Sequence, residues 1–281
     1  MRQPFQQAGL AVVLMIAPAA VAWPAELTPE TRKAWDCYLQ TVQDRVKERV
    51  EGQRPFLWLD EDASRRQRAR QGEILVWHPG ADGTQEVPNG LIHDWAGGLF
   101  IPGAKIQDLL SVLHNYGRYG DYYRPVVRQA KLLGREEENE RYQMVWMKKA
   151  LFVTAALEGE YETTYIPLDE KRWYSVSNST RVQEIRNYGH AGEQKMAPDT
   201  GSGFLWRMYS DSRFEERDGG VYLEIEVIAL SRDIPPGLRW LVTPYVAKLS
   251  RDSVISTLDQ TRDAVLQSAA DPPGPGLAAG Q

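Results

Sequence analysis

Three carboxylates and two guanidinium groups, Asp211, Glu224, Glu226, Arg207 and Arg213, fall within one short stretch of the 281-residue chain. Carboxylates forced together in a poorly hydrated space repel one another, which raises the pKa of one and fits it for general acid or base work. The same set on a wet sheet surface would be a ladder of exposed ion pairs, each worth about 0–1 kcal/mol. The plainer ladder reading is preferred; the other places these groups at the polar end of an internal cavity.

Other chemistries have little support. The four histidines, His78, His93, His114 and His190, lack H-x3-H or H-E-x-x-H spacing, and no phosphate loop, dinucleotide fingerprint or G-x-S-x-G motif occurs. Gly201-Ser202-Gly203 precedes a strand pattern, whereas a phosphate loop would precede a helix. Cys37 is the sole cysteine, so an internal disulfide is excluded; its place in the helical pattern Ala34, Tyr38, Val42, Val46, Val50 predicts a buried small apolar side chain. A net charge of −5 argues against nucleic acid or an anionic membrane as partner. The basic run Arg65-Arg66-Gln67-Arg68-Ala69-Arg70 follows Asp60-Glu61-Asp62 and reads as a solvated helix with compensated charge.

The charged set is positioned by a predicted hairpin. Asp218-Gly219 between two apolar-rich runs is a strong type I′ signal, and a two-residue loop sets Arg217 opposite Gly220, Phe214 opposite Leu223, Arg213 opposite Glu224 and Asp211 opposite Glu226. Alternation then places Trp206, Met208, Phe214, Leu223, Ile225, Val227 and Ala229 on one face and Arg207, Asp211, Arg213, Glu224 and Glu226 on the other. The apolar face needs a cover. After Gly237 the period lengthens to that of a helix, with Leu238, Leu241, Val242, Tyr245, Val246 and Leu249 in one stripe. Thr243-Pro244 reads as an N-cap and first helical residue, and Ser250 opens a second segment carrying Val254, Leu258 and Val265, so the C-terminal helix is expected to be broken.

Upstream, residues 1–22 combine an early Arg2, an apolar run and Ala20-Val21-Ala22, the pattern of a cleaved export signal; the expectation is a periplasmic or extracellular chain with no stable transmembrane anchor after cleavage. Residues 23–88 read as an N-terminal helical extension with one helix over Thr28–Val50, stopped by Gly52, and a second over about Glu61–Gln71. Residues 269–281 read as a disordered tail rich in proline and glycine.

From Asn89 the order is strand, Pro102-Gly103, helix, then Asn115-Tyr116-x-Arg118-Tyr119-x-x-Tyr122-Tyr123-Arg124-Pro125-x-Val127. With the hairpin, Ser231-Arg232-Asp233-Ile234-Pro235 and the C-terminal helix, this stretch resembles the START-like, SRPBCC or helix-grip superfamily, related to the polyketide cyclase and lipid-transport group. The resemblance spans residues 89–268. It implies an α+β fold in which a curved antiparallel sheet of about six to seven strands wraps a long C-terminal helix.

The resemblance also turns the aromatics from core filler into candidate lining. Aromatic residues make up 10% of the chain, with 9 tryptophans. A cavity between sheet and helix would be lined by Trp146, Tyr161, Tyr165, Trp206, Met208, Ile225, Val246 and Leu258. The function implied is an exported protein holding a hydrophobic or amphipathic, lipid-like small molecule, with no cofactor, no metal and no catalytic residue. Two alternatives stand beside it: a cyclase- or hydrolase-like enzyme using a carboxylate in the cavity, and a filled-core scaffold acting through its surface.

Overall fold

Thr28 accepts a hydrogen bond from the Thr31 backbone N–H and Pro29 opens the first helix, so α1 (Pro29–Val50) starts where capping chemistry places it. A computed structural model describes residues 25–79, 83–150, 153–234, 237 and 239–270 of the chain. The export signal at 1–22, Pro235, Leu238 and most of the expected tail, 271–281, lie outside them. After α1 come a tight turn over Trp58–Glu61, α2 (Ala63–Arg70), β2 (Leu75–Trp77), β3 (Thr84–Val87), β4 (Gly90–Pro102), α3 (Ile106–Leu113) and α4 (Tyr119–Tyr122). A meander follows: β5 (Val127–Glu136), β6 (Asn139–Ala150), β7 (Val153–Pro167) and β8 (Arg172–Arg186). The hairpin strands β11 (Arg207–Arg217) and β12 (Gly220–Arg232) and the helix α5 (Arg239–Ala270) complete the chain. Three two-residue strands, β1 (Ala25–Glu26), β9 (Gln194–Lys195) and β10 (Thr200–Gly201), tie down the loops.

One antiparallel sheet runs β2-β4-β12-β11-β8-β7-β6-β5, seven long strands and the short β2, with β3 added at β4 and β9 at β8. The early β4 and the late β12 lie side by side over thirteen paired residues. This is the helix grip of a START-like fold: a large sheet, one face of which holds the C-terminal helix. The stretch read as extension contributes to it, since both β2 and β3 pair with β4.

The hairpin folds in the predicted register, Arg217 against Gly220, Arg213 against Glu224 and Asp211 against Glu226. Asp218 and Gly219 both have positive φ, 56° and 78°, as a type I′ turn requires. On the inner face, Leu99, Ile101, Phe214, Val221 and Leu223 pack against Val254, Leu258 and Val265 of α5. Gly97 permits this approach, because a Cβ there would lie 2.7 Å from both Leu258 Cδ1 and Val254 Cγ1.

Three expectations are corrected. α5 is one helix, with Pro244 inside it rather than at the start of a segment. The missing N–H falls near the N-terminal end, where the helix has least cover: Trp240 is 77% exposed and Val242, Val246 and Leu249 are half-buried. Cys37 is exposed. The buried stripe of α1 is Thr31, Trp35, Val42, Val46 and Arg49, a face rotated from the one the aliphatic spacing picks out. The second helix is a residue or two shorter at each end than expected, Ala63–Arg70, with Glu61 in the separate turn at Trp58–Glu61 and Asp62 as its N-cap. No helix of the described residues is long and apolar enough to cross a membrane.

The close approach at Gly97 makes a test of the grip. Gly97→Ala should destabilise the protein by about 1–3 kcal/mol in urea unfolding, because the helix must move to admit one methyl. Gly117→Ala, whose Cβ would meet nothing nearer than Asn115 Oδ1 at 4.0 Å, should stay within about 0.5 kcal/mol of the parent.

Candidate functional site

Along β11 the burial pattern is the reverse of a sheet lying on water. Tyr209, Asp211 and Arg213 are buried, while Met208, Ser210 and Ser212 on the helix side are half-buried. β12 repeats this, with Glu224, Glu226 and Ile228 buried and Val227 and Ala229 half-buried. The charged face is therefore sealed, and part of the inner face is reachable by solvent.

The accessible strip can be traced through the registers. Phe214 and Leu223 face α5; two and four residues along, Ser212 faces Ile225 and Ser210 faces Val227 on the same side. β8 adds Ser175 opposite Ser212 and Ser177 opposite Ser210. β7 adds Tyr165 opposite Ser175 and Thr163 opposite Ser177, and Thr163 Oγ1 donates to Ser177 Oγ at 2.7 Å. A band of hydroxyl groups thus crosses three strands in mid-sheet. Toward one end it meets an apolar group: Trp146, Leu157, Val182 and Leu205, with Met144, Met208 and Ala229 packed against them.

The predicted lining residues divide. Trp146, Tyr161 and Met208 gather at the open end, where the Trp146 indole N–H donates to Tyr161 Oη at 3.3 Å. Tyr165, Ile225 and Leu258 belong to the packed cluster under the second half of α5. Val246 is half-buried in the first half of that helix. Trp206 does not join them: it packs with Leu27, Trp35, Ile92 and Tyr209 beneath α1, because the strand begins only at Arg207 and the alternation does not extend back to it. Sequence reasoning misses the hydroxyl band, although Ser175, Ser177 and Ser179 recur at period two opposite Ser210 and Ser212.

A second group adjoins the one around Trp146 through Tyr161. Tyr116, Tyr142 and Tyr161 stack in series, with ring centroids 4.4 and 5.0 Å apart, and Tyr119 and Tyr123 meet them edge-on or tilted. Burial, foremost, lifts the phenols of Tyr116, Tyr161 and Tyr165 far above their ordinary range, so they stay protonated donors. Glu140, 2% exposed, accepts from Tyr116 Oη at 2.6 Å and from Arg135, and His114 Nδ1 lies 2.8 Å from it. A carboxylate held by so many partners orders the tyrosines around it.

The outer face carries the carboxylates read from the sequence, and both readings of them are corrected: they are neither on a wet surface nor on the face that meets α5. α1 and the turn at Trp58–Glu61 lie over them. Arg213 is 2% exposed and Glu224 0%. Arg213 Nη1 donates to Asp211 at 2.6 Å, and its Nη2 lies 3.5 Å from Glu224. Glu224 also accepts the backbone N–H groups of Trp58 and Leu59 at 3.0 and 2.8 Å. From α1, Arg45 reaches Glu226 at 2.6 Å and Asp94 at 3.1 Å, and Tyr38 Oη donates to Asp94 at 2.6 Å. Burial is the first cause that pushes Asp94 and Asp211 up to about 7, with Glu226 nearby adding to it and the guanidinium groups opposing it. Arg207, assigned to this face, pairs instead with Asp199 at 2.5 Å.

No protein-family model and no curated protein matches the sequence. Solved structures to which the chain is similar include TTHA0849 from Thermus thermophilus, 15% identical over 63% of this chain and 99% of that one, with a TM-score of 0.45. They include the STAR-related lipid transfer protein of Xanthomonas axonopodis, 15% identical over 69% and 99% of the two chains, TM-score 0.44. Human STARD10 is 9% identical over 74% and 81%, also with a TM-score of 0.44.

The sealed charges give two expected outcomes. Arg213→Met leaves Asp211 and Glu224 buried without their cation and should cost about 3–5 kcal/mol in chemical unfolding. Asp211 is raised in the folded chain to about 7 from an ordinary value near 3.9. The folded state therefore holds the extra proton between those limits, and this group's contribution falls as pH rises from about 4 to about 7. Asp211→Asn removes that dependence. Its stability relative to the parent should improve across this window by about 1–4 kcal/mol, and parallel pH profiles would show that Asp211 does not titrate there.

Proposed function

We propose that the protein is an exported carrier which holds an amphipathic, lipid-like molecule on the inner face of the sheet beneath the first half of α5. The observation that carries this reading is the half-burial of Met208, Ser210, Ser212, Val227 and Ala229 in mid-sheet, while the residues between them are buried. A filled core would bury both sets. The lining offers apolar and aromatic surface at Trp146, Met144 and Met208 and hydroxyl groups at Thr163, Ser177 and Ser210, which suits a chain or ring system carrying a polar end. Partial exposure of Val242, Val246 and Leu249 leaves this part of the helix without the apolar packing that fixes its second half. That arrangement gives an access route.

Enlarging side chains separates a hollow from a core. Met208→Trp should keep or raise the melting temperature of ligand-free protein, since the ring buries apolar surface at roughly 25 cal/mol per Å², and should lower uptake of a fluorescent fatty acid. Ile225→Phe, in the packed cluster, should cost about 1–3 kcal/mol. Loss of stability at Met208, with no uptake by the parent, would remove the carrier reading. Native mass spectrometry of protein purified from its own host should show a co-purifying small molecule, and the mature chain should begin at Trp23 by intact mass.

A further inference from the structure

Behind the sheet, where α1, the segment before α2 and β2 meet, a groove of about 180 Å³ is lined by Arg45, Arg49, Arg54 and Arg213 together with Trp58 and Trp77. We infer that this groove is a second binding site, separate from the inner hollow, for a small carboxylate carrying an aromatic body.

Four guanidinium groups converge here, and the two acids on the wall are already engaged. Glu61 accepts from Arg49 at 2.8 Å and Arg54 at 2.7 Å and lies 3.4 Å from Arg65, while Glu226 accepts from Arg45 at 2.6 Å. Donors remain over. Arg213, 2% exposed, keeps Nε without an acceptor, a deficit that costs free energy in a buried charged group unless a ligand meets it. Burial, and after it the neighbouring Arg213, holds the Arg49 guanidinium below its ordinary range.

The aromatic part follows from the opposite wall. Trp58 and Trp77 stack with centroids 3.9 Å apart and planes within 10°, and Arg65 sits 3.8 Å over the Trp58 ring, which fixes the indoles as a flat platform. A space of about 150 Å³ takes a benzene ring, so the groove admits one ring with a carboxylate and little more. Guanidinium forks match a carboxylate in two parallel hydrogen bonds. Arg54, with its side chain 44% exposed, marks the open side.

Benzoate, benzyl alcohol, acetate and inorganic phosphate are the probes, titrated calorimetrically into the full chain with tryptophan fluorescence as a second readout. Benzoate should bind with a Kd of about 1 mM or tighter, and about tenfold more tightly than acetate or benzyl alcohol. Arg54→Ala should weaken it about tenfold or more without changing the melting temperature of ligand-free protein by more than a few degrees. Trp77→Leu should weaken benzoate and leave acetate unchanged. Met208→Trp should leave benzoate binding intact, which keeps this site distinguishable from the carrier reading. The inference is overturned if benzoate fails to saturate, if acetate or phosphate binds as tightly, if Arg54→Ala is without effect, or if Met208→Trp abolishes benzoate binding.

Discussion

Arg213 stands buried between Asp211 and Glu224, and the N-terminal third of the chain is arranged to make that tolerable. A buried guanidinium requires carboxylates, and buried carboxylates require further donors. Glu224 takes two from the backbone at Trp58 and Leu59, which shapes the turn that follows α1. Glu226 and Asp94 take theirs from Arg45 and Tyr38 on α1 itself. Apolar packing of Trp35 and Val42 on Ile92 and Ile228, and of Leu57 and Leu59 on Phe100 and Tyr222, then closes the layer. The segment ahead of the grip is therefore a structural part of the sheet's back.

With its back committed, the sheet has its other face available. Among the described residues, α5 packs on that face from Val254 to Val265, and the seam is tight enough to require Gly97. Serine, methionine and valine side chains further along the same face remain half-open. A dry charged side and a damp neutral side invert the usual rule for a one-layer sheet.

Much of this is legible in the sequence, and the parts that are not share a cause. The Asp218-Gly219 turn fixes the hairpin register because few backbone conformations suit it, and the register fixes which side chains share a face. Local pattern can say that Asp211, Arg213, Glu224 and Glu226 face one way. It cannot say what lies over them, because the cover comes from Arg45 and Trp58, far away in the chain. Cys37 and Trp206 fail for a related reason: the face α1 presents is chosen by where Trp35 and Arg49 find partners, and Trp206 precedes the strand whose alternation is projected onto it. Pro244 reads as a helix start because its lost hydrogen bond is local, while the packing that carries α5 past it is tertiary. The hydroxyl band is visible as Ser175, Ser177 and Ser179, yet serine at strand spacing reads as solvent-facing until the opposite face is known to be closed.

The link between Arg45 and Glu226 spans 181 residues, which has a consequence for how the chain is made. At synthesis rates of roughly 5–20 residues per second, α1 leaves the ribosome roughly 10–35 s before the strand that neutralises it. During that interval Arg49 can find Glu61 and Tyr38 can find Asp94, but Arg45 lacks Glu226, and the helix, whose exposed positions are largely polar, can wait in water until it arrives. The last strand to emerge is thus the one that completes the ion pairs beneath α1.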